Sequence, residues 1–152
     1  MQKTINVAQA FGMAGEMYDL TPRRVDAKEV AADVSIGGVA GINPADGSVG
    51  PVGTPYTEFA GIFVRPKEEI NYGGSTPLAA SVKVPAGQTV QVCSMGRVKV
   101  TVPSDDTWVA GDKLNVTQEH VLGKNGEPYI NNVAAKVVVG GAAGEVAVVE
   151  IG

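Results

Sequence analysis

The chain has 152 residues, of which 44% are hydrophobic and only 18% are charged, so it can bury one core and is too apolar for wholesale disorder. Its net charge of −4 at pH 7 excludes a polybasic surface for nucleic acid or anionic lipid. No apolar run approaches the roughly 18 residues of a membrane helix, and the N-terminus lacks the unbroken apolar stretch of a secretory signal. We therefore expect one soluble β-rich domain without a nucleic-acid or membrane partner.

Residues 1–32 show no strand alternation, and we interpret them as an N-terminal arm. Thr21-Pro22 could cap a short helix running to Ala32, but Arg23 and Arg24 would then lie in its first turn, where the helix dipole disfavours cations. An extended arm is equally compatible with the sequence. The arm carries large apolar side chains that could fold back on the domain or become buried in a partner. They are Phe11, Met13, Met17, Tyr18 and Leu20.

Residues 33–152 are predicted to form a single β domain. Residues 33–42 can form a strand, and residues 43–55 contain repeated Pro and Gly, which exclude a helix and predict a long loop that could serve as a contact surface. Between Gly96 and Val102, valines alternate strictly with polar residues, which places one face inward and one in water. Five similar runs predict a small β-barrel or sandwich. The six runs are 59–64, 82–84, 89–93, 98–102, 133–139 and 146–151.

Three Ala-Gly pairs, each followed by a polar residue, precede predicted strands. They begin at Ala86, Ala110 and Ala143. Because glycine readily adopts a positive φ, each pair predicts a tight turn or bulge with a structural role.

Catalytic chemistry finds little support in the sequence. The single histidine, His120, is predicted to lie exposed in a loop, and the single cysteine, Cys93, is predicted to be a buried and inert thiol. Two adjacent carboxylate pairs occur, Asp105-Asp106 and Glu68-Glu69. Neighbours on a strand would point to opposite faces and neighbours in a turn would both be solvated, so neither pair is placed for acid–base work. Too few Cys and His residues are present for a typical zinc site, and no phosphate-binding glycine loop occurs. We predict no enzyme activity, cofactor or metal.

The order of several motifs resembles that of capsid cement (decoration) proteins of tailed bacteriophages. The N-terminal stretch resembles the start of that family, a first barrel strand follows, and the later turns and strands occur in a similar order over most of the chain. The motifs are 11–19, 21–25, Phe59-Ala60-Gly61-Ile62, Val84-Pro85-Ala86-Gly87, Gly96-Arg97-Val98, 109–114, Ala135-Lys136-Val137 and Gly144-Glu145-Val146.

The resemblance implies a virion structural protein on the outer surface of the capsid, made in the host cytoplasm. Such a protein would bind the major capsid protein at capsomer junctions, commonly as a homotrimer, with a dimer as the other possibility. A binding module for carbohydrate or receptor in a phage fibre or tail is the alternative, although Trp108 and Tyr129 are few aromatic residues for stacking on sugars. The candidate capsid-contact residues lie in the arm and are Phe11, Met13, Met17, Tyr18, Leu20, Arg23 and Arg24.

Overall fold

The computed structural model describes residues 14–19, 22–65 and 83–152. Within these ranges the chain forms strands and no helix, which confirms the mainly β fold. The strands are β1 (Arg24–Glu29), β2 (Val34–Ser35), β3 (Val39–Ile42), β4 (Val49–Pro51), β5 (Glu58–Val64), β6 (Lys83–Val84), β7 (Thr89–Thr101), β8 (Lys113–Thr117), β9 (Leu122–Gly123), β10 (Pro128–Val139) and β11 (Val146–Ile151).

Nine of these strands form one antiparallel sheet that curls into a half-barrel. Eight follow the order β4-β3-β5-β7-β11-β10-β8-β9, and β1 pairs with β7 outside this path. The remaining strands, β2 and β6, form a separate two-stranded ladder. The curl is compatible with the right-handed twist that accumulates across neighbouring strands.

The long strand β7 connects the two parts of the sheet. Its first half pairs with β1 and β5, and its second half pairs with β11. Gly96 lies at the junction with φ +137°, a conformation that residues with a side chain rarely adopt. After this junction Val98, Val100 and Val102 are buried, so the inward face predicted from their alternation is confirmed.

Two clusters of small aliphatic side chains form the core. The larger one lies beneath the second half of β7 and the strands β8, β10 and β11, and it includes Val98, Leu114 and Val149. The smaller one gathers residues of β2 to β7, including Val30, Phe63 and Val92. Strand β7 contributes to both clusters, since Val90 and Val92 belong to the smaller and Val98 and Val100 to the larger.

The helix considered for residues 21–32 is wrong, because residues 24–29 form β1. Arg24 pairs with Met95 and Glu29 with Thr89 along the first half of β7. All of β1 except Val25 is exposed. Its charged side chains therefore suit an edge strand in water, since charge blunts edge-to-edge association. The described part of the predicted arm thus joins the sheet, while a boundary at residue 32 stays a prediction.

The stretch 43–55 is not one long loop. It contains β4, which pairs with β3 through Val49 opposite Ile42 and Pro51 opposite Ala40. Val49 and Val52 are buried, so the stretch is tied to the core on both sides of Pro51. The exposed residues of the stretch lie in the turn between β3 and β4, at Pro51 and at Thr54-Pro55.

The three Ala-Gly turns are confirmed. Gly87, Gly111 and Gly144 have φ values of +87°, +97° and +80°. No atom would meet a Cβ at any of the three within 4 Å, so backbone conformation and not space requires glycine there.

Candidate interaction surface

The residues just before β1 continue along the same neighbour, β7, and we call residues 14–19 the arm segment. Gly15 N donates to Lys99 O at 2.8 Å, Lys99 N to Glu16 O at 2.9 Å and Tyr18 N to Arg97 O at 2.9 Å. Arg65 N, at the end of β5, donates to Gly15 O at 2.7 Å. The arm segment therefore bridges β7 and the end of β5.

Close packing against the body makes glycine necessary at position 15. Gly15 is buried with φ +85°, and a Cβ there would lie 2.5 Å from Cγ2 of Ile36 and 3.0 Å from Gly37 N. Any larger residue would clash with backbone as well as with a side chain. Close packing at Gly15 and backbone hydrogen bonds therefore both fix the position of the arm segment.

Ion pairs hold the same segment from the outer side of β7. Lys99 Nζ lies 3.0 Å from Glu16 Oε2, and Arg97 Nη1 lies 3.0 Å from Asp19 Oδ2. Arg97 Nε also bonds Glu150 Oε2 of β11 at 2.9 Å. The hydrogen bond to Glu150 raises the pKa of the Arg97 guanidinium most, and the hydrogen bond to Asp19 raises it further. The pairs are partly exposed, so they orient the segment more than they stabilise it.

The candidate contact residues Met17 and Tyr18 differ in their surroundings. Met17 pairs with Val98 and packs against the larger core cluster, so this side chain folds back on the domain. Tyr18 is 40% exposed. Met17 therefore follows the first outcome considered for the apolar residues of the arm, whereas burial of Tyr18 in a partner stays a prediction.

Exposed cations and a second apolar side chain lie close to Tyr18. Arg23 and Arg24 are exposed, and neither forms an ion pair with another described residue. Met95, the β7 partner of Arg24, is also 40% exposed. We call Tyr18, Arg23, Arg24 and Met95 the arm patch. The sequence analysis did not identify Met95 as a candidate contact residue. The available signal was a large apolar residue beside Gly96 on a strand with one face in water.

Phe11, Met13 and Leu20 lie outside the described residues, and their contact role stays a prediction.

The two members of the pair Asp105-Asp106 differ in their surroundings, because Asp105 is exposed and the Asp106 carboxylate is buried. Asp106 is 3% exposed and accepts from Trp108 Nε1 at 2.9 Å and from Lys124 N at 3.0 Å. Trp108 is itself 2% exposed and therefore offers no stacking surface to a sugar.

The remaining candidate residues show no reactive arrangement. Cys93 is buried, and its thiol donates to Met95 O at 3.1 Å, so the predicted inert environment is confirmed. His120 is exposed at the β8–β9 turn, as expected. Among the described residues, no three His, Cys, Asp or Glu side chains are arranged to hold a metal ion. These ranges also contain no helix with the length and apolar character to cross a bilayer.

Comparisons with known proteins show what the chain is similar to. The model of a family described as structural cement protein (E217 gp24/Pam3 gp6) matches residues 1–152. A chain in the structure "The capsid of Myoviridae Phage XM1" shares the fold with a TM-score of 0.58 and 18% sequence identity, over 99% of this chain and 96% of that chain. No curated protein matches the sequence.

Proposed function

Since this chain belongs to the structural cement proteins of phage capsids, it is a structural component of the virion capsid, and we propose that the arm patch binds the outer surface of the major capsid protein at capsomer junctions. The observation that carries the proposal is the exposure of Tyr18 and Met95 beside two arginines that form no ion pair with another described residue. Tyr and Arg are enriched among the residues that dominate binding energy in protein interfaces.

Energetic reasoning supports an interface centred on these side chains. Burying a large apolar side chain stabilises by about 1.5–3 kcal/mol, and about 1.4 kcal/mol corresponds to a tenfold change in affinity. Tyr18 and Met95 lie along the same stretch of β7, because Tyr18 N donates to Arg97 O and Arg97 is two residues from Met95. One depression on the partner could therefore receive both.

The proposed mechanism is non-enzymatic. A protein that binds only the assembled shell stabilises it by mass action, and repeated contacts across neighbouring subunits add avidity. A homotrimer, or else a dimer, would supply such repeated contacts; native mass spectrometry of the free protein would distinguish them.

The test measures binding of full-length variants to capsids that lack the protein. The double variant Tyr18→Ser/Met95→Ser should bind at least about tenfold more weakly, because two apolar anchors are lost. The variant Arg23→Ser/Arg24→Ser should also weaken binding and reduce its salt dependence. Val109→Ser is the matched control, since Val109 is 61% exposed and lies outside the arm patch.

All variants should keep the melting temperature of the wild type within a few degrees, because the changed side chains are exposed. Wild-type affinity in both double variants would overturn the arm patch as the contact. The double variant Phe11→Ser/Met13→Ser would then examine the other candidate residues of the arm.

A further inference from the structure

Two lysines face each other on the outer side of the sheet. Lys113 of β8 is the direct cross-strand partner of Lys136 of β10, and both side chains are exposed. Their neighbours Leu114 and Ala135 are buried, so the lysines lie on the face turned away from the core. Residues directly opposite on antiparallel strands have Cβ atoms about 4.5–5.5 Å apart, and like charges at this spacing destabilise a sheet.

The acidic group that could neutralise this pair is engaged elsewhere. The next residue in the same cross-strand row is Glu150 of β11, the partner of Lys136. Glu150 instead bonds Arg97 of β7, which also binds Asp19 of the arm segment. Arg97 therefore holds two carboxylates, whereas neither lysine forms an ion pair with a described residue. Lys113 and Lys136, at one end of the row, are therefore two neighbouring positive charges that no described carboxylate pairs with.

We propose that Lys113 and Lys136 form a second contact, which receives an acidic segment of the major capsid protein. The proposal rests on the proposed function and extends the contact from the arm patch to the outer face of β8 and β10. Charge complementarity selects the occupant: a carboxylate between the two ammonium groups relieves their repulsion in the bound state only.

The position of the pair supports a single partner for both contacts. The row runs from Lys113 through Lys136 and Glu150 to Arg97, so three strand spacings separate its ends, or about 14 Å. Arg97 is joined to Asp19, the neighbour of Tyr18. A standard interface covers about 800 Å² on each partner, which is wide enough to include the arm patch and the lysine pair together.

The test compares stability with capsid binding, because the proposal requires them to change in opposite directions. In the free protein, Lys113→Gln/Lys136→Gln should raise the melting temperature by about 1–2 °C, since a like-charge pair is removed. The same variant should bind empty capsids more weakly, by up to about fivefold for each lysine, with a shallower dependence on salt. Lys113→Arg/Lys136→Arg keeps both charges and should bind within twofold of wild type.

Lys83→Gln is the control for the loss of a lysine charge elsewhere on the surface, because Lys83 is an exposed lysine on the separate β2–β6 ladder. Wild-type affinity of the double Gln variant, or an equal loss in the double Arg variant, would overturn the lysine contact. The arm patch variants separate this failure from that of the proposed function: if they lose binding while the Gln variant does not, only the second contact is wrong. If all variants bind like wild type, both are wrong.

Discussion

His120 packs against Gly53 and thereby joins the two ends of the sheet. A Cβ on Gly53 would lie 3.1 Å from Cε1 and 3.2 Å from Nδ1 of the imidazole, so a side chain at this position would force the ring to shift. Gly53 follows β4, the first strand of the sheet order, and His120 precedes β9, the last. The ring also meets Tyr129 edge to face, with centroids 4.7 Å apart. Among the described residues, β4 and β9 do not pair with each other, and the contact between His120 and Gly53 spans the gap between them.

This closure explains an unusual residue in the β8–β9 turn. His120 N donates to Thr117 O and Thr117 N to Val121 O, the pattern of a three-residue hairpin loop whose last residue is left-handed. His120 has φ +63°, where Gly or Asn is normally favoured. We predict that His120→Asn and Tyr129→Leu are not additive in free energy of unfolding, with a coupling of about 0.5–1.5 kcal/mol. Chemical denaturation of the four proteins measures it, and additive effects would show that the ring contact contributes nothing.

A second prediction concerns the buried carboxylate of Asp106. Asp106→Ala should lower the free energy of unfolding by about 1–3 kcal/mol, because the buried indole N–H of Trp108 loses its acceptor. Asp105→Ala is the control. The side chain of Asp105 is exposed, so this substitution should lower the free energy of unfolding by less than about 0.5 kcal/mol. Urea denaturation followed by circular dichroism compares them. Equal losses in both variants would show that the hydrogen bonds of Asp106 do not matter for stability.

The single thiol gives a third prediction. Burial raises the pKa of Cys93 above its usual value of 9.0, and the thiolate is the form that reacts with electrophiles. Alkylation by iodoacetamide at pH 8 should therefore be slow in the native protein and rapid in urea. Because the folded pKa is the higher one, the folded state favours the neutral thiol, and stability should decline as the pH rises past 9. Fast modification of the native protein would contradict this account.

A fourth prediction concerns acid. The hydrogen bond from Lys124, followed by that from Val109 N, lowers the pKa of Asp112 below its ordinary 3.8. A lowered folded pKa contributes stability that is present above 3.8 and is lost as the pH falls further. Asp112→Asn should therefore lower the melting temperature at pH 6 and lose less stability than wild type between pH 4 and pH 2. Asp26→Asn on the exposed strand β1 serves as the control, and an unchanged acid profile for Asp112→Asn would contradict the prediction.

Local patterns predicted the elements that depend on local chemistry. The valines from Val98 to Val102 specify which face of β7 is buried, and the Ala-Gly pairs specify turns, because both signals act over a few residues. Strand β1 was missed although Val25 and Ala27 alternate with charged residues, a pattern that fits an edge strand. What confirms β1 is its pairing with β7, in which Arg24 meets Met95 across 70 residues of sequence, and no local pattern encodes that partner.

The candidate site was predicted only in outline for the same reason. The sequence identified Tyr18, Arg23 and Arg24 as candidate contact residues. It could not separate Met17 from Tyr18, because their different exposure follows from the bridge between Met17 and Val98. It also did not identify Asp106 as a buried carboxylate, because Lys124, whose N–H helps to satisfy it, lies 18 residues further along the chain.

Because β7 contributes side chains to both core clusters, the two halves of the domain cannot open independently. Separating the smaller cluster from Val90 and Val92 would pull on the same backbone that holds Val98 and Val100 in the larger one. Slowly exchanging amides should then be found on both sides of Gly96 and should be released together, as one cooperative unit. For a structural cement protein of a capsid, such a strand means that strain applied at one contact is resisted by the whole domain before any part of it yields.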